Sequence, residues 1–264
     1  MREKLDKYTA WRKTDKIKDG DVITIADMFV AHFDDEEEQL EEFLSALFGF
    51  AQTTLSATVQ SLYQILRHMK VEILAEELER EFGKNDLKSA SLTAKYVAEN
   101  LDFGKQRLIY LERCLMEAIR LDPPIPITTV HKTTADTKMS NGEKLPKGTR
   151  FTFNMVAIHR DVEQYFKPNE FIPERFSSKS EYYLTPGATQ RHALSWCPFL
   201  TGQRHCNGQE FAFMVAKTVI TLYLTAMPKL DFEDSSMMNM PEMPSSAPQS
   251  KVTVKVEADL PFKL

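Results

Sequence analysis

The prolines divide this chain into two unlike parts. All 13 of them lie at Pro123 or later, so residues 1–122 contain none. Proline interrupts helices because it lacks the amide hydrogen and clashes with the preceding turn. We therefore predict a largely helical part over residues 1–122 and a part with strands, turns and loops over residues 123–264.

Composition limits the classes of protein to which the sequence can belong. Its 264 residues, of which 42% are hydrophobic, can bury the core of one or at most two domains. The net charge of −5 and the lack of a basic stripe argue against nucleic acid as a partner. Three cysteines without paired spacing predict no disulfide framework, which favours a reducing compartment on the cytosolic side. The charged N-terminus leads into no apolar stretch, so we predict no membrane span.

Apolar spacing predicts the helices of the first part. A long helix is expected from Leu40 to His68, because that stretch contains no proline and few polar interruptions. The acidic run from Asp34 to Glu38 suits a helix N-terminus, and a solvated run of charge fits it equally well. An amphipathic helix is also expected over Ser61 to Phe82, with Gly83 as the cap at its end.

The remaining elements follow from the same spacing rules. A helix carrying Leu108, Leu111, Leu115 and Ile119 on one face should end at Asp122, before two prolines. The other predicted segments are a polar linker over Gly83 to Ser91, a helix from Ser91, strands over Ile125 to Lys132 and Arg150 to Met155, an apolar helix over Gln209 to Met227, a loop over Met237 to Pro248 and a closing strand with Val252, Val254 and Val256.

The stretch from Pro198 to Gly208 reads P-F-L-T-G-Q-R-H-C-N-G and directly precedes the apolar helix. Cys206 suits an iron ligand, because the free amide hydrogens and the dipole at a helix start stabilise a thiolate. Gly202 would let the loop fold back under a flat ligand, and Gly208 would let the backbone approach that ligand closely. A buried, unreactive cysteine is the common alternative, and the polar neighbours of Cys206 argue against it.

Four motifs resemble those of the cytochrome P450 family of haem-thiolate monooxygenases. They are F-x-x-G-x-R-x-C-x-G at residues 199–208, E-x-x-R at residues 117–120, F-x-P-E-R-F at residues 171–176, and the segment 48–54 of the long helix. In that segment Gly49 takes the family's small position and Thr53 its threonine. Phe50 stands where the family has glycine, and Gln52 stands where it has an acid. The stretch from Ala157 to Asp161 also resembles the family's turn between strand and meander, which implies a structural turn there.

This resemblance implies the fold class. We expect a mainly α (α+β) chain that corresponds to the C-terminal half of the cytochrome P450 fold, with a long central helix, a helical bundle, small β-sheets and a cysteine-ligand loop. Residues 1–264 would form one partial domain, with the helical part over 1–122 and the strands, meander, haem-binding loop and last helix over 123–264. The family's N-terminal half would be absent.

The resemblance also implies the roles of single residues. Cys206 would bind the iron of haem b as a thiolate, and Arg204 and His131 would bind its propionates. The other expected site residues are Phe199, Gly202 and Gly208 around the loop, Thr53 and Gln52 in proton delivery, and Glu117, Arg120 and Arg175 in a buried charge network. Three alternatives stay open: a solvated Glu117–Arg120 pair, a surface His131, and threonines at 53 and 54 that bond back to the preceding turn.

The function implied is the insertion of one oxygen atom of O₂ into an apolar organic substrate, with electrons from a redox partner such as an NADPH-dependent reductase. A longer, anchored form would lie at the endoplasmic reticulum membrane. Two alternatives remain: a truncated fragment that binds haem without catalysis or is only structural, and a haem-thiolate isomerase or dehydratase, which Phe50 and Gln52 favour.

Overall fold

The computed structural model describes residues 3, 6, 7, 10, 11, 27, 32, 33, 35–68, 70–82, 108–226, 230–232 and 254–256. The chain divides into two compact units, Met1–Thr53 and Thr54–Leu264. The predicted linker from Gly83, the helix from Ser91 and the loop over Met237 to Pro248 lie outside the described residues.

The long helix α1 spans Glu36–Arg67 and confirms the predicted one. Its start also confirms the interpretation of the acidic run, because Asp35 Oδ1 accepts the amide hydrogens of Glu37 and Glu38, at 2.9 Å each. A carboxylate in this position satisfies amide groups that have no partner within the helix.

The prediction of a helix starting at Ser61 is wrong. Ser61 lies within α1, which ends at Arg67, and the next helix, α2, spans Val71–Phe82. No proline or glycine lies between Ser61 and Phe82. The break between α1 and α2 therefore has none of the usual sequence marks of a helix end.

Helix α3 (Ile109–Leu121) confirms the third predicted helix, and it ends at Asp122 as expected. Leu108 precedes it in the left-handed region, with φ 59°, and its side chain provides no cap. Instead Glu77 of α2 reaches across and accepts the amide hydrogens of Tyr110 and Leu111, at 2.7 and 2.9 Å. The buried carboxylate thus caps α3 from another helix.

The two predicted strands lie at the expected places but are shorter than predicted. Strand β1 (His131–Lys132) pairs antiparallel with β4 (Arg150–Phe151), and β2 (Thr137–Lys138) pairs with β3 (Lys144–Leu145).

The second strand ends early because a helix begins at Met155. The Asn154 side chain accepts the amide hydrogen of Ala157 at 3.1 Å and so caps α4 (Met155–His159). Residues 157–159 are therefore helical, which corrects the predicted turn.

Beyond α4 the chain runs through short 3₁₀ turns at Pro173–Phe176, Glu181–Tyr183, Ala193–Ser195 and Gly202–Arg204. The apolar helix α5 (Gln209–Ala226) follows as predicted. The predicted closing strand is β6 (Val254–Val256), and it pairs antiparallel with β5 (Leu230–Phe232), a strand that was not predicted from the sequence. None of the described helices is both long enough and apolar enough to cross a membrane.

The core of the second unit lies among α2, α3, α5 and the end of α1. Its fully buried side chains include Ile65, Leu74, Leu111, Leu115 and Ile220. Close packing of these residues fixes α3 against α5. The helix that carries Glu117 and Arg120 is thereby held beside the helix that follows Cys206.

Candidate haem-thiolate site

Glu117 lies at the centre of a buried ion cluster. Its carboxylate accepts Arg120 Nε at 2.7 Å and Nη2 at 2.8 Å, Arg175 Nε at 3.0 Å, and the amide hydrogen of Ile172 at 2.9 Å. The side chains of Glu117, Arg120 and Arg175 have no exposed surface. The pair Glu117–Arg120 is therefore not the solvated surface bridge that the spacing alone allows.

The two guanidinium groups of the ion cluster also bind the backbone of residues 159–170. Arg120 Nη1 donates to the carbonyls of His159 and Pro168, at 2.7 Å each. Arg175 donates to the carbonyls of Phe166 and Lys167. The ion cluster thus binds backbone carbonyls of a segment that, after His159, is neither helix nor strand.

Tyr165 is a member of this arrangement that the sequence motifs do not include. Its buried ring lies 4.8 Å from the guanidinium carbon of Arg120, 5.9 Å from that of Arg175 and 5.2 Å from that of Arg191. Arg191 also donates to the Arg175 carbonyl at 2.8 Å. An aromatic face attracts cations, so the ring stabilises three like charges that burial brings close together. Burial lowers the pKa of Arg175 and Arg191.

The loop that carries Cys206 folds back on itself before α5. The Cys206 amide donates to the Phe199 carbonyl at 2.8 Å, and Gly202 at the turn has φ 70°, a conformation that favours glycine. The amide of Gly208 donates to Cys206 Sγ at 3.4 Å. Cys206 is exposed, so its sulfur can be reached by a ligand outside the loop.

The other two cysteines differ from Cys206 in their surroundings. Cys114 is fully buried in α3, and burial raises the pKa of its thiol. Cys197 is half-buried, and burial raises the pKa of its thiol as well. Since the thiolate is the form that binds a metal, both sites disfavour ligation. The exposed sulfur with an amide hydrogen directed at it is that of Cys206.

His131 and Arg204 line one cavity of about 660 Å³, which Phe153, Leu200 and Gln203 also border. The His131 ring packs against Phe151 and Phe153, with centroids 5.6 Å from each. His131 Nε2 is buried and has no hydrogen-bond partner in the described part of the chain. A buried polar atom normally has a partner, so the cavity fits a ligand that carries an acceptor such as a carboxylate.

The remaining predicted site residues, Phe199, Gln52 and Thr53, lie in different parts of the chain and have different neighbours. Phe199 packs between Trp196 and Phe213, with ring centroids at 6.2 and 5.9 Å. On α1, Gln52 is exposed, and the Thr53 hydroxyl donates to the Gly49 carbonyl. That bond is the back-bonding alternative for Thr53, and both residues belong to the first unit.

The sequence is similar to known proteins over most of its length. The sequence profile of the family described as Cytochrome P450 matches residues 7–255. The chain is 31% identical over 189 residues to "Cytochrome P450 4d2" of Drosophila melanogaster, which is 72% of this chain and 34% of that protein. It is 31% identical over 205 residues to "Cytochrome P450 4V2" of Homo sapiens, 75% of this chain and 35% of that protein.

The fold is similar to that of solved structures. "Crystal structure of cytochrome P450DA heme domain" superposes with a TM-score of 0.68 at 23% identity, over 89% of this chain and 48% of that chain. The likeness confirms the predicted fold class. The chain spans about a third of the length of the two curated relatives.

Proposed function

Because the chain belongs to the cytochrome P450 family, we propose that it is the part of a monooxygenase that supplies the thiolate ligand of haem. Proteins of this family bind haem through a cysteine thiolate. The observation that carries the proposal is the exposed Cys206 sulfur, with the Gly208 amide directed at it at the start of α5.

Cys206 acts in this proposal as the ligand and holds its negative charge at Sγ. The Gly208 amide donates to that sulfur, and a hydrogen bond of this kind tunes how strongly a thiolate gives electron density to iron. Gly202 lets the loop turn back, so that the Cys206 amide bonds to the Phe199 carbonyl. Phe199 packs against Trp196 and Phe213 and keeps water from one side of the loop.

Arg204 and His131 bind the acidic groups of the cofactor. Both line the same cavity, and His131 Nε2 has no other hydrogen-bond partner in the described residues. An arginine and a histidine that is protonated or donates its N–H pair favourably with carboxylates. The site residues therefore fit haem b, whose propionates would meet these two side chains.

Haem bound there supplies the activation of O₂ and the transfer of one oxygen atom to an apolar organic substrate. Thr53 and Gln52 of α1 take part in proton delivery in this proposal by orienting hydrogen-bonded groups. The Thr53 hydroxyl donates to the Gly49 carbonyl and can still accept a hydrogen bond, and the Gln52 amide can donate and accept hydrogen bonds without releasing a proton. We propose an NADPH-dependent reductase as the electron source. In this proposal residues 1–264 form one partial domain that acts with further sequence on the cytosolic side of the endoplasmic reticulum membrane.

Glu117, Arg120 and Arg175 have a structural role in this proposal. They bind the segment over residues 159–170 through its carbonyls and so fix the backbone of that segment. Removing one member of a buried ion network leaves an uncompensated charge, which typically costs about 3–5 kcal/mol.

The test is the absorption spectrum of the reduced, carbon-monoxide-treated protein, which reports haem and thiolate together. Cys206→Ser should abolish the long-wavelength band of thiolate ligation. Cys114→Ser and Cys197→Ser are the matched controls and should keep it. If Cys206→Ser keeps the band while a control loses it, the assignment is wrong.

Product analysis with O₂ and a reductase tests the reaction class. A hydroxylated product that carries an atom from labelled O₂ supports a monooxygenase. A rearranged or dehydrated product formed without O₂ uptake would instead identify the isomerase or dehydratase that Phe50 and Gln52 favour.

A further inference from the structure

We propose that His159 and Tyr165 are positioning residues that fasten the start of the Cys206 loop to the ion cluster of Glu117, Arg120 and Arg175. This inference rests on the proposed function, because it assigns the loop the task of placing a thiolate. Each of the two residues contacts the ion cluster through one group and the start of the loop, residues 195–197, through another.

His159 joins the two sites through its backbone and its side chain. Its carbonyl accepts Arg120 Nη1 at 2.7 Å, and its ring Nε2 accepts the amide hydrogen of Cys197 at 3.2 Å. The imidazole is fully buried, and burial together with the nearby positive charge of Arg120 lowers its pKa to about 4. The ring is therefore neutral at pH 7, which is the state in which Nε2 can accept a hydrogen bond.

Tyr165 joins the same two sites through its ring and its hydroxyl. The ring lies against the guanidinium groups of Arg120 and Arg175, at 4.8 and 5.9 Å. The hydroxyl donates to the Ser195 carbonyl at 2.9 Å. The phenol is buried, so its hydroxyl finds a protein partner in place of water.

The loop start is held at three consecutive residues. Ser195 is bound by Tyr165, Cys197 is bound by His159, and Trp196 Nε1 between them donates to the Met116 carbonyl of α3 at 3.1 Å. Three fixed residues in a row determine the direction in which the chain enters the loop.

Two backbone hydrogen bonds connect the loop start with Cys206, the proposed iron ligand. The Cys197 carbonyl accepts the amide hydrogen of Leu200 at 3.0 Å, and the Phe199 carbonyl accepts that of Cys206 at 2.8 Å. Leu200 has φ 59°, a conformation that costs a residue with a side chain free energy. Such a backbone persists only where the surrounding bonds hold it, so a displaced loop start should release it.

Amide hydrogen exchange of the chain measures this coupling without haem. In Tyr165→Phe the ring stays on the arginines and only the bond to Ser195 is lost. We expect the amides of Leu200 and Cys206 to exchange about tenfold faster, as for the loss of one net hydrogen bond.

Two further variants and a control test whether the loop start itself determines the exchange rate of these amides. His159→Leu should accelerate the same amides, and His159→Gln should restore slow exchange, because its side-chain oxygen can accept the Cys197 amide hydrogen. Tyr110→Phe is the matched control: it also deletes one partly buried phenol hydroxyl, which donates to Glu174 at 3.0 Å, and it should leave the Cys206 amide unchanged.

The same variants should also differ in the absorption spectrum of the reduced, carbon-monoxide-treated protein. The long-wavelength band should be weaker in Tyr165→Phe and His159→Leu than in Tyr110→Phe. Unchanged exchange at Leu200 and Cys206 in Tyr165→Phe would overturn the coupling, even if Cys206→Ser still abolishes the band. Equal acceleration in Tyr110→Phe would overturn it too. If the unmodified protein shows no such band, the proposed function fails, and the exchange data still decide the coupling.

Discussion

Replacing Glu117 by glutamine tests whether the ion cluster determines the stability of the second unit. The substitution keeps the size and shape of the side chain and removes its charge. Both carboxylate oxygens accept hydrogen bonds, Oε1 from Arg120, Arg175 and Ile172 and Oε2 from Arg120. In either orientation the amide nitrogen of the new side chain would face donors.

The size of the effect follows from burial. Glu117, Arg120 and Arg175 are all fully buried, so two guanidinium charges lose their common counter-ion away from water. Breaking a buried ion network in this way costs about 3–5 kcal/mol. For a chain of this length that corresponds to a fall in melting temperature on the order of 10 °C.

The assay is urea denaturation followed by circular dichroism, with Glu170→Gln as the matched control. The Glu170 carboxylate pairs with Lys167 at 3.2 Å, and both side chains are about half exposed, so the same chemical change should cost only about 0–1 kcal/mol there. A Glu117→Gln protein as stable as Glu170→Gln would refute the reasoning, because it would mean that the buried charges are compensated by carbonyls alone.

Two other predictions concern the loop and the dependence on pH. Gly202→Ala should lower the free energy of unfolding by about 1–2 kcal/mol, because Gly202 has φ 70°. Gly187→Ala is the control and should have little effect, because its new methyl group would meet only Thr185, at 3.8 Å. Equal free energies of unfolding for the two variants in urea titrations would contradict this prediction. The pKa of His159 is about 4 in the folded chain and 6.5 in the unfolded one, so the unfolded chain gains its proton first as the pH falls. The free energy of unfolding should therefore drop by about 2 kcal/mol between pH 7 and pH 5, and His159→Gln should remove that part of the slope.

Local chemistry explains which elements the sequence could predict. Asp35 and the apolar spacing mark both the start and the course of α1, and Pro123 marks the end of α3. The break after Arg67 could not be predicted, since no proline or glycine marks it. The early end of the second strand had a signal that the alternating apolar residues concealed, because Asn154 is a common helix cap.

Most of the predicted residues of the candidate site were predictable because they fall within a motif, and His131, which lines the same cavity as Arg204, is the exception. Cys206, Glu117, Arg120 and Arg175 stand in short patterns whose spacing can be read along the chain. Tyr165 and His159 do not, because their contacts with the arginines and with residues 195–197 join segments far apart in sequence. Such contacts depend on the path of the irregular segment over residues 159–170, which no periodicity describes.

The cap that Glu77 provides for α3 has a consequence for the order in which the protein assembles. A helix of 13 residues is marginal on its own in water, and the side chain of Leu108 does not cap this one. The first turn of α3 is therefore complete only after α2 has docked with its carboxylate in place. During synthesis α2 leaves the ribosome first, and it serves as the template on which the helix bearing Glu117 and Arg120 finishes folding.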